Sequence, residues 1–288
     1  MIVITDERCV EYSAPGHPEK PARVARTLAR LRAQTDVAIT WDKPAEVDLD
    51  QLLRAHSPAL IRDVDTAKGD FDADTPNHPK ITEHARRSVG GAIKAMQLAR
   101  QGKAAFSLLR PPGHHATRDR AMGFCYFNGI AVAALEALAM GVNRVAVFDF
   151  DVHHGNGTEA ILLGHPHTAF ASVHQSPCYP GTGLRDVGNN CFNYPLPPRA
   201  PREIYRGALK QSLERLLAFK PDLIGVSAGF DAYARDPIAQ ELLEAEDFEW
   251  LGARLRDCGV KFFSVLEGGY SDDLPDLVLA YLRGVQGK

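Results

Sequence analysis

Short apolar runs alternate with longer amphipathic stretches along most of the chain. The short runs, rich in Val, Ile, Ala and Phe, predict six strands, at 2–5, 104–108, 145–150, 168–173, 223–227 and 262–266. Helical spacing predicts six helices, at 21–32, 83–100, 128–140, 201–218, 246–257 and 274–282, and a further helical pattern begins at 158–163. Strands that alternate with helices favour a central, mostly parallel sheet with helices on both faces, which is a three-layer α/β/α fold.

Polar patches directly follow five of the predicted strands. They lie at 110–115, 149–157, 174–177, 228–231 and 267–270. Ligands of parallel α/β sheets bind at the carboxyl ends of the strands, so we expect these five loops to converge on one edge. Seven of the eleven histidines fall between His114 and His174, which concentrates imidazole groups at that edge.

The segment 149–157, DFDVHHGNG, has the composition of a metal site. Residues two apart on extended backbone point to the same side, so Asp151 and His153 can face one ion, whereas His154 points away and is expected to pack behind the site. Asp231 is the candidate third ligand, because it follows another strand and small neighbours let its loop approach closely. Three such ligands leave a tetrahedral zinc ion one open position, as catalytic sites do. The alternative is a buried Asp151–His153 ion pair without metal.

Two adjacent histidines, His114 and His115, lie on a loop stiffened by prolines. They can flank a water molecule at the metal, one as general base and acid and the other as a positive charge. Asp149 and Asn156 are candidate partners, because a carboxylate favours a charged imidazole more than an amide does. The alternative is a surface pair of histidines without catalytic function.

Three aromatic residues are further candidates for the site. Tyr270 follows a Gly-Gly turn that can bring its hydroxyl group over the metal as an oxyanion donor. Phe124 and Tyr179 can form the walls of an apolar channel toward the ion. Ordinary packing is the alternative for all three.

The composition limits the class of protein. With 288 residues, 45% of them hydrophobic, the chain can form one large core, and we expect a single domain, 1–288. A net charge of −3 without a dense basic run argues against direct contact with nucleic acid or a membrane surface. Five cysteines without a CxxC pair, and no apparent signal peptide or membrane span, favour a cytoplasmic protein with free thiols.

Together the motifs at 110–115, 149–157, 229–232 and 266–270 resemble those of the zinc-dependent histone deacetylase superfamily. This superfamily includes bacterial acetylpolyamine amidohydrolases and histone-deacetylase-like amidohydrolases. The resemblance runs from His17 to Tyr270. It implies the arginase/deacetylase fold and an enzyme that removes an acetyl or other short acyl group from an acylated amine such as acetyl-lysine.

The resemblance also implies a role for each matching catalytic position. The implied zinc ligands are Asp151, His153 and Asp231. The implied catalytic residues are His115 as general base and acid with Asn156, His114 as the charged histidine with Asp149, and Tyr270 as the oxyanion donor.

Further binding sites are implied in the same way. The implied walls of the acyl-lysine channel are Gly123, Phe124 and Tyr179. A structural potassium ion is implied at Asp149, Asp151, His153, Ser172 and Val173. Arg23 resembles the arginine near an internal acetate pocket, and Asp74 resembles a rim aspartate that holds the substrate backbone.

Several alternatives stay open at this point. Asn156 stands where class I enzymes carry Asp, which places the chain nearer the class II-like branch. The substrate is acetylated lysine, an acetylpolyamine or another small acylated amine. The native metal is zinc or ferrous iron. A homo-oligomer is compatible with the sequence. More remote alternatives are an arginase-like hydrolase with two manganese ions and a protein that binds acyl ligands without cleaving them.

Overall fold

One sheet of eight parallel strands forms the centre of the protein. The computed structural model describes residues 1–288. The strands are β1 (Ile2–Ile4), β2 (Thr40–Asp42), β3 (Ala105–Ser107), β4 (Val145–Asp149), β5 (Thr168–Gln175), β6 (Cys191–Leu196), β7 (Leu223–Ala228) and β8 (Lys261–Leu266). Their order across the sheet is β2-β1-β3-β8-β7-β4-β5-β6, and every neighbouring pair is parallel. The predicted three-layer α/β/α class with a mostly parallel sheet is confirmed.

Nine α-helices connect and cover the strands. They are α1 (Ala22–Ala33), α2 (Leu49–Ala55), α3 (Pro58–Thr66), α4 (Ile81–Arg100), α5 (Gly129–Ala139), α6 (Asn156–Leu162), α7 (Arg202–Ala218), α8 (Ala245–Asp257) and α9 (Leu274–Gln286). None of them combines the length and the apolar character that crossing a bilayer requires.

The central strands and α5 form the interior of the core. Every residue of β3, β4, β5 and β7 is buried, because helices cover both faces of the parallel sheet. Helix α5 is almost wholly apolar, and the Asn128 side chain caps it by accepting the backbone N–H of Ala131 at 3.0 Å. One cluster of 75 buried hydrophobic residues unites these layers.

The two outermost strands, β2 and β6, and two short helices, α2 and α3, are absent from the elements that the sequence predicts. Strand β2 has only three residues, which include the exposed Thr40 and Trp41. Strand β6 contains Asn193 and Pro195, and proline is tolerated at a sheet edge because one side of the strand needs no partner. Neither strand carries the apolar run that marks the central strands.

The strand order determines where the site lies. Strands β3, β8, β7, β4 and β5 are consecutive neighbours in the sheet, and each ends directly before one of the polar patches. Because the strands are parallel, all five patches meet at one edge of the sheet.

Candidate active site

Two aspartates and one histidine meet at this edge of the sheet. Asp151 and His153 follow β4, and Asp231 follows the neighbouring strand β7. Their ligand atoms lie within 4.8 Å of one another, and all three residues are buried. The Nδ1 atom of His153 is 3.1 Å from Asp151 Oδ1 and 3.1 Å from Asp231 Oδ2.

Two glycines allow the loops to approach this closely. A Cβ atom at Gly229 would lie 2.2 Å from an Asp151 oxygen, and one at Gly268 would lie 2.1 Å from an Asp231 oxygen. The backbone N–H of Gly268 instead donates to Asp151 Oδ2 at 2.7 Å, and that of Val152 donates to Asp231 Oδ1 at 2.8 Å. Backbone donors therefore fix the orientation of both carboxylates.

The geometry and charge of this trio fit a metal cation. In a tetrahedral site with bonds of about 2.0 to 2.1 Å, neighbouring ligand atoms are roughly 3.3 Å apart, close to the distances found here. Burial, together with the charge of Asp151, raises the pKa of Asp231 to about 7. A bound divalent ion would stabilise the charged forms of these two adjacent buried carboxylates.

The two adjacent histidines have different partners. The Nδ1–H of His114 donates to Asp149 Oδ2 at 3.0 Å, and that of His115 donates to Asn156 Oδ1 at 2.8 Å. Their ring centroids are 4.0 Å apart. Because Nδ1 of His115 is engaged, Nε2 is the nitrogen that can exchange a proton.

The two imidazoles have opposite pKa shifts. Burial opposes the charged form of His114, but Asp151 and Asp149 outweigh it and raise the pKa of His114 to about 10. Burial, followed by the positive charges of His114 and His153, lowers the pKa of His115 well below its ordinary value. At neutral pH the pair consists of one charged and one neutral imidazole, as a fixed charge and a general base require.

Tyr270 follows β8 and contacts the aromatic wall of the site. It is 7% exposed, and its ring packs against Phe124 in an edge-to-face arrangement with centroids 5.8 Å apart. Burial raises the pKa of its hydroxyl well above the ordinary value, so the phenol stays protonated and can donate a hydrogen bond.

Glu267 is a buried residue whose function the sequence alone did not indicate. Its carboxylate accepts the backbone N–H groups of Gly113 and His114 at 2.7 and 3.2 Å, and the Ser227 hydroxyl at 3.1 Å. Burial raises its pKa to about 7. Glu267 therefore supports the loop of His114 and His115, and its sequence signal is its position in the polar patch 267–270 directly after β8.

A cavity of about 380 Å³ leads to His115 and to His153 of the trio. Its lining residues are His17, Pro18, Asp74, His115, Gly123, Phe124, His153, Cys178, Tyr179, Ile238 and Tyr270. All three predicted channel residues and the rim residue Asp74 are among them. The sequence did not indicate His17, Pro18, Cys178 or Ile238 as lining residues, because their positions depend on loop conformation.

The channel wall contains unusual backbone geometry. Phe124 has a φ of 68°, a left-handed conformation that is strained for a bulky residue. Its N–H donates to the buried Thr75 hydroxyl at 3.1 Å, which holds it in place. A Cβ atom at Gly123 would lie 2.7 Å from the His115 ring, so glycine is needed for close approach.

Arg23 lies behind Tyr270 and does not line the cavity. Its Nε–H donates to the Gly269 carbonyl at 2.7 Å, and its guanidinium lies 4.7 Å from the centroid of the Tyr270 ring. The structure thus brings Arg23 to the tyrosine loop, and an acetate pocket beside it stays a prediction.

The residues of the predicted potassium site lie on the adjacent strands β4 and β5 (Asp149, Ser172 and Val173) and directly after β4 (Asp151 and His153). Asp149 at the end of β4 is opposite Ser172 of β5, with Val173 next to it. The Ser172 hydroxyl is 2.9 Å from His174 Nδ1. His154 is also buried beside this group, with its ring centroid 4.7 Å from that of His174 and its Nδ1 2.7 Å from the Thr182 hydroxyl, and it is not part of the trio.

Glu19 forms a buried cluster of charged groups with Arg23 and Arg110. Its carboxylate binds Arg23 at 3.1 Å and Arg110 at 2.7 Å. Burial alone would raise the pKa of Glu19, but the two guanidinium groups lower it from 4.5 to about 2.

We expect Glu19→Gln to lower the free energy of unfolding at pH 7 by about 3 kcal/mol, the equivalent of that pKa shift. Because the folded-state pKa is the lower one, this stabilisation exists above pH 4.5 and is lost as the pH falls toward 2. Urea unfolding of the unmodified protein and of Glu19→Gln between pH 7 and 3 should show that the difference between their free energies of unfolding becomes smaller as the pH falls. The control Asp276→Asn, which breaks the exposed ion pair with Arg30, should lower the free energy of unfolding by less than about 1 kcal/mol. A loss of stability in Glu19→Gln that is equally small, or that does not depend on pH, would contradict the prediction.

Comparisons with known proteins agree with this geometry. The family described as histone deacetylase domain matches residues 17–284. The histone deacetylase-like amidohydrolase of Pseudomonas aeruginosa is 38% identical over 96% of this chain and 78% of its own length. The acetylpolyamine amidohydrolase of Mycoplana ramosa is 36% identical over 82% of this chain and 73% of its own. The crystal structure of the HDA15 HD domain superimposes with a TM-score of 0.94 at 32% identity, covering 100% of this chain and 91% of that one.

Proposed function

Because the chain belongs to the histone deacetylase family, a family of amide-hydrolysing deacetylases, we propose that it is a zinc-dependent enzyme that removes acetyl groups from acylated amines. The observation that carries the proposal is the buried trio of Asp151, His153 and Asp231 beside one charged and one neutral histidine. In this proposal residues 1–288 form one catalytic domain that acts in the cytoplasm.

Asp151, His153 and Asp231 would hold the zinc ion, and ferrous iron suits the same donor set. When bound, the ion supplies Lewis-acid polarisation of the acyl carbonyl and of the attacking water. A structural potassium ion at Asp149, Ser172 and their neighbours would stabilise the backbone on the other side of β4.

His115 moves the proton in the proposed reaction. Its neutral Nε2 takes one proton as water attacks the amide carbonyl carbon, and the hydrogen bond to Asn156 keeps the ring oriented. When the carbon–nitrogen bond breaks, His115 gives that proton to the leaving amine. The products are acetate and a free amine.

His114 and Tyr270 stabilise the charge that develops during this step. His114, kept positive by Asp149, supplies a fixed charge beside His115. The Tyr270 hydroxyl donates to the oxygen of the tetrahedral intermediate, an interaction that strengthens as negative charge forms there.

The lining of the cavity suits a slender acylated alkyl chain. Phe124 and Tyr179 provide apolar walls near the mouth, and Asp74 places a carboxylate at the rim. A carboxylate at that position can bind either a backbone N–H of a peptide or the ammonium group of a polyamine. We therefore propose acetyl-lysine or an acetylpolyamine as substrate.

A parallel assay tests the proposal. The purified, zinc-loaded protein is incubated with an acetyl-lysine peptide and with an acetylpolyamine, and acetate is quantified. We expect acetate from at least one substrate and none after metal removal. Tight binding of both substrates without cleavage would favour a non-catalytic acyl-ligand protein instead.

A further inference from the structure

Asp236 is a buried carboxylate in the loop after β7 that contacts the loop after β8. It is 7% exposed. Its Oδ2 atom accepts the backbone N–H of Tyr270 at 2.7 Å, and its Oδ1 atom accepts that of Ile238 at 3.0 Å. Both carboxylate oxygens are thus bound by N–H groups of residues that line the cavity.

A different use of the same carboxylate, as a metal ligand, finds no support in the structure. Asp236 is the next aspartate after Asp231 and would be the nearest candidate to bridge a second metal ion, as in an arginase-like site. The cluster whose ligand atoms lie close enough to share an ion consists of Asp151, His153 and Asp231 and does not include Asp236. The contacts therefore favour a mechanical role for this carboxylate.

Tyr270 needs such an anchor because two glycines precede it, and glycine backbone has more conformational freedom than that of other residues. Gly269 has a φ of 114°, a conformation that side-chain-bearing residues rarely adopt. Arg23 binds the Gly269 carbonyl and lies over the tyrosine ring, which restrains the preceding peptide and one ring face. Asp236 accepts the backbone N–H of Tyr270 itself and thereby fixes the backbone position from which the tyrosine side chain extends.

We propose that Asp236 is a positioning residue that sets the location of the Tyr270 hydroxyl relative to the metal-binding carboxylate of Asp231. Asp231 and Asp236 belong to the same loop, so one short segment provides both a metal ligand and the anchor of the oxyanion donor. This inference rests on the proposed function, since it takes Tyr270 as that donor. Misplacement of a catalytic group by about 1 Å can cost on the order of 10²-fold in rate, and this gives the anchor its importance.

A double-mutant cycle tests the inference in the zinc-loaded protein. In Asp236→Asn, the amide oxygen can accept only one of the two N–H groups, and the amide NH₂ faces the other. We expect this change to lower kcat by roughly 30-fold with KM within about threefold, because the anchor acts on the transition state. In a Tyr270→Phe background, we expect the same change to lower kcat by less than about twofold, since no hydroxyl remains to be positioned.

The matched control is Glu241→Gln. Glu241 is 1% exposed and accepts the backbone N–H of Ala200 at 3.1 Å, but it does not line the cavity, so its kcat should equal that of the unmodified protein. Bound zinc should be equal in all variants. If Asp236→Asn does not fold, Asp236→Glu, which keeps charge and both acceptor oxygens on a longer stem, provides the same comparison.

The outcomes separate the inference from the proposed function. If Asp236→Asn lowers kcat equally in the unmodified protein and in the Tyr270→Phe background, or affects KM alone, the role of Asp236 is overturned and that of Tyr270 is left intact. An unchanged kcat in the single variant Tyr270→Phe would overturn both. Loss of activity in Asp236→Asn that is confined to proteins with Tyr270 supports the inference.

Discussion

Replacing His115 by alanine is expected to lower kcat by about 10³-fold while bound zinc stays at the level of the unmodified protein. The physical reason is that the burial of His115 and the neighbouring positive charges keep it neutral and able to accept a proton. No other cavity-lining group has both a free ring nitrogen and a position beside the trio of Asp151, His153 and Asp231. The measurement is steady-state hydrolysis of the better acetylated substrate, with zinc determined on the same sample.

The control for this change is His167→Ala. His167 is an exposed histidine beyond α6, and its removal should leave kcat unchanged. Turnover of His115→Ala within about threefold of the unmodified enzyme, at equal zinc content, would exclude His115 as the general base.

The second large effect is expected for Tyr270→Phe, which should lower kcat by about 10²- to 10³-fold. Phenylalanine keeps the ring that contacts Phe124 and Arg23 and removes only the hydroxyl group, so the fold and the cavity should be preserved. KM should change little, because the hydroxyl acts mainly on charge that forms in the transition state.

Tyr194→Phe is the matched control, since it removes a hydroxyl from a partly exposed tyrosine in the edge strand β6. Its kcat should remain unchanged. A fall in affinity for substrate with constant kcat in Tyr270→Phe would mean that the hydroxyl binds the ground state and is not the oxyanion donor.

The central part of the fold could be predicted because it depends on local patterns. Buried strands such as β4 and β7 have continuous apolar runs, and polar residues directly after them must lie at the carboxyl edge of a parallel sheet. The spacing of Asp151 and His153 is equally local, because two residues on extended backbone share a side. Asp231 could be added because it follows a strand that proved to be the neighbour of β4.

The supporting residues could not be predicted, because they act on backbone groups that are distant in the sequence. Glu267 binds the N–H of Gly113, 154 positions away, and Asp236 binds that of Tyr270, 34 positions away. Such contacts produce no periodicity and no recognisable spacing. Thr75 is a similar case. Its hydroxyl accepts the backbone N–H of Phe124 and stabilises the left-handed conformation of that residue, which the sequence does not reveal.

The most direct test of the proposed function is a zinc titration of activity. The metal is removed from the purified protein, zinc is returned in steps, and acetate release from an acetylated amine is measured at each step. We predict that the rate rises in proportion to zinc and reaches its plateau at one ion per chain, and that Asp231→Asn shows no such rise. Full activity in the metal-free protein, or a plateau at two ions per chain, would contradict the proposed function.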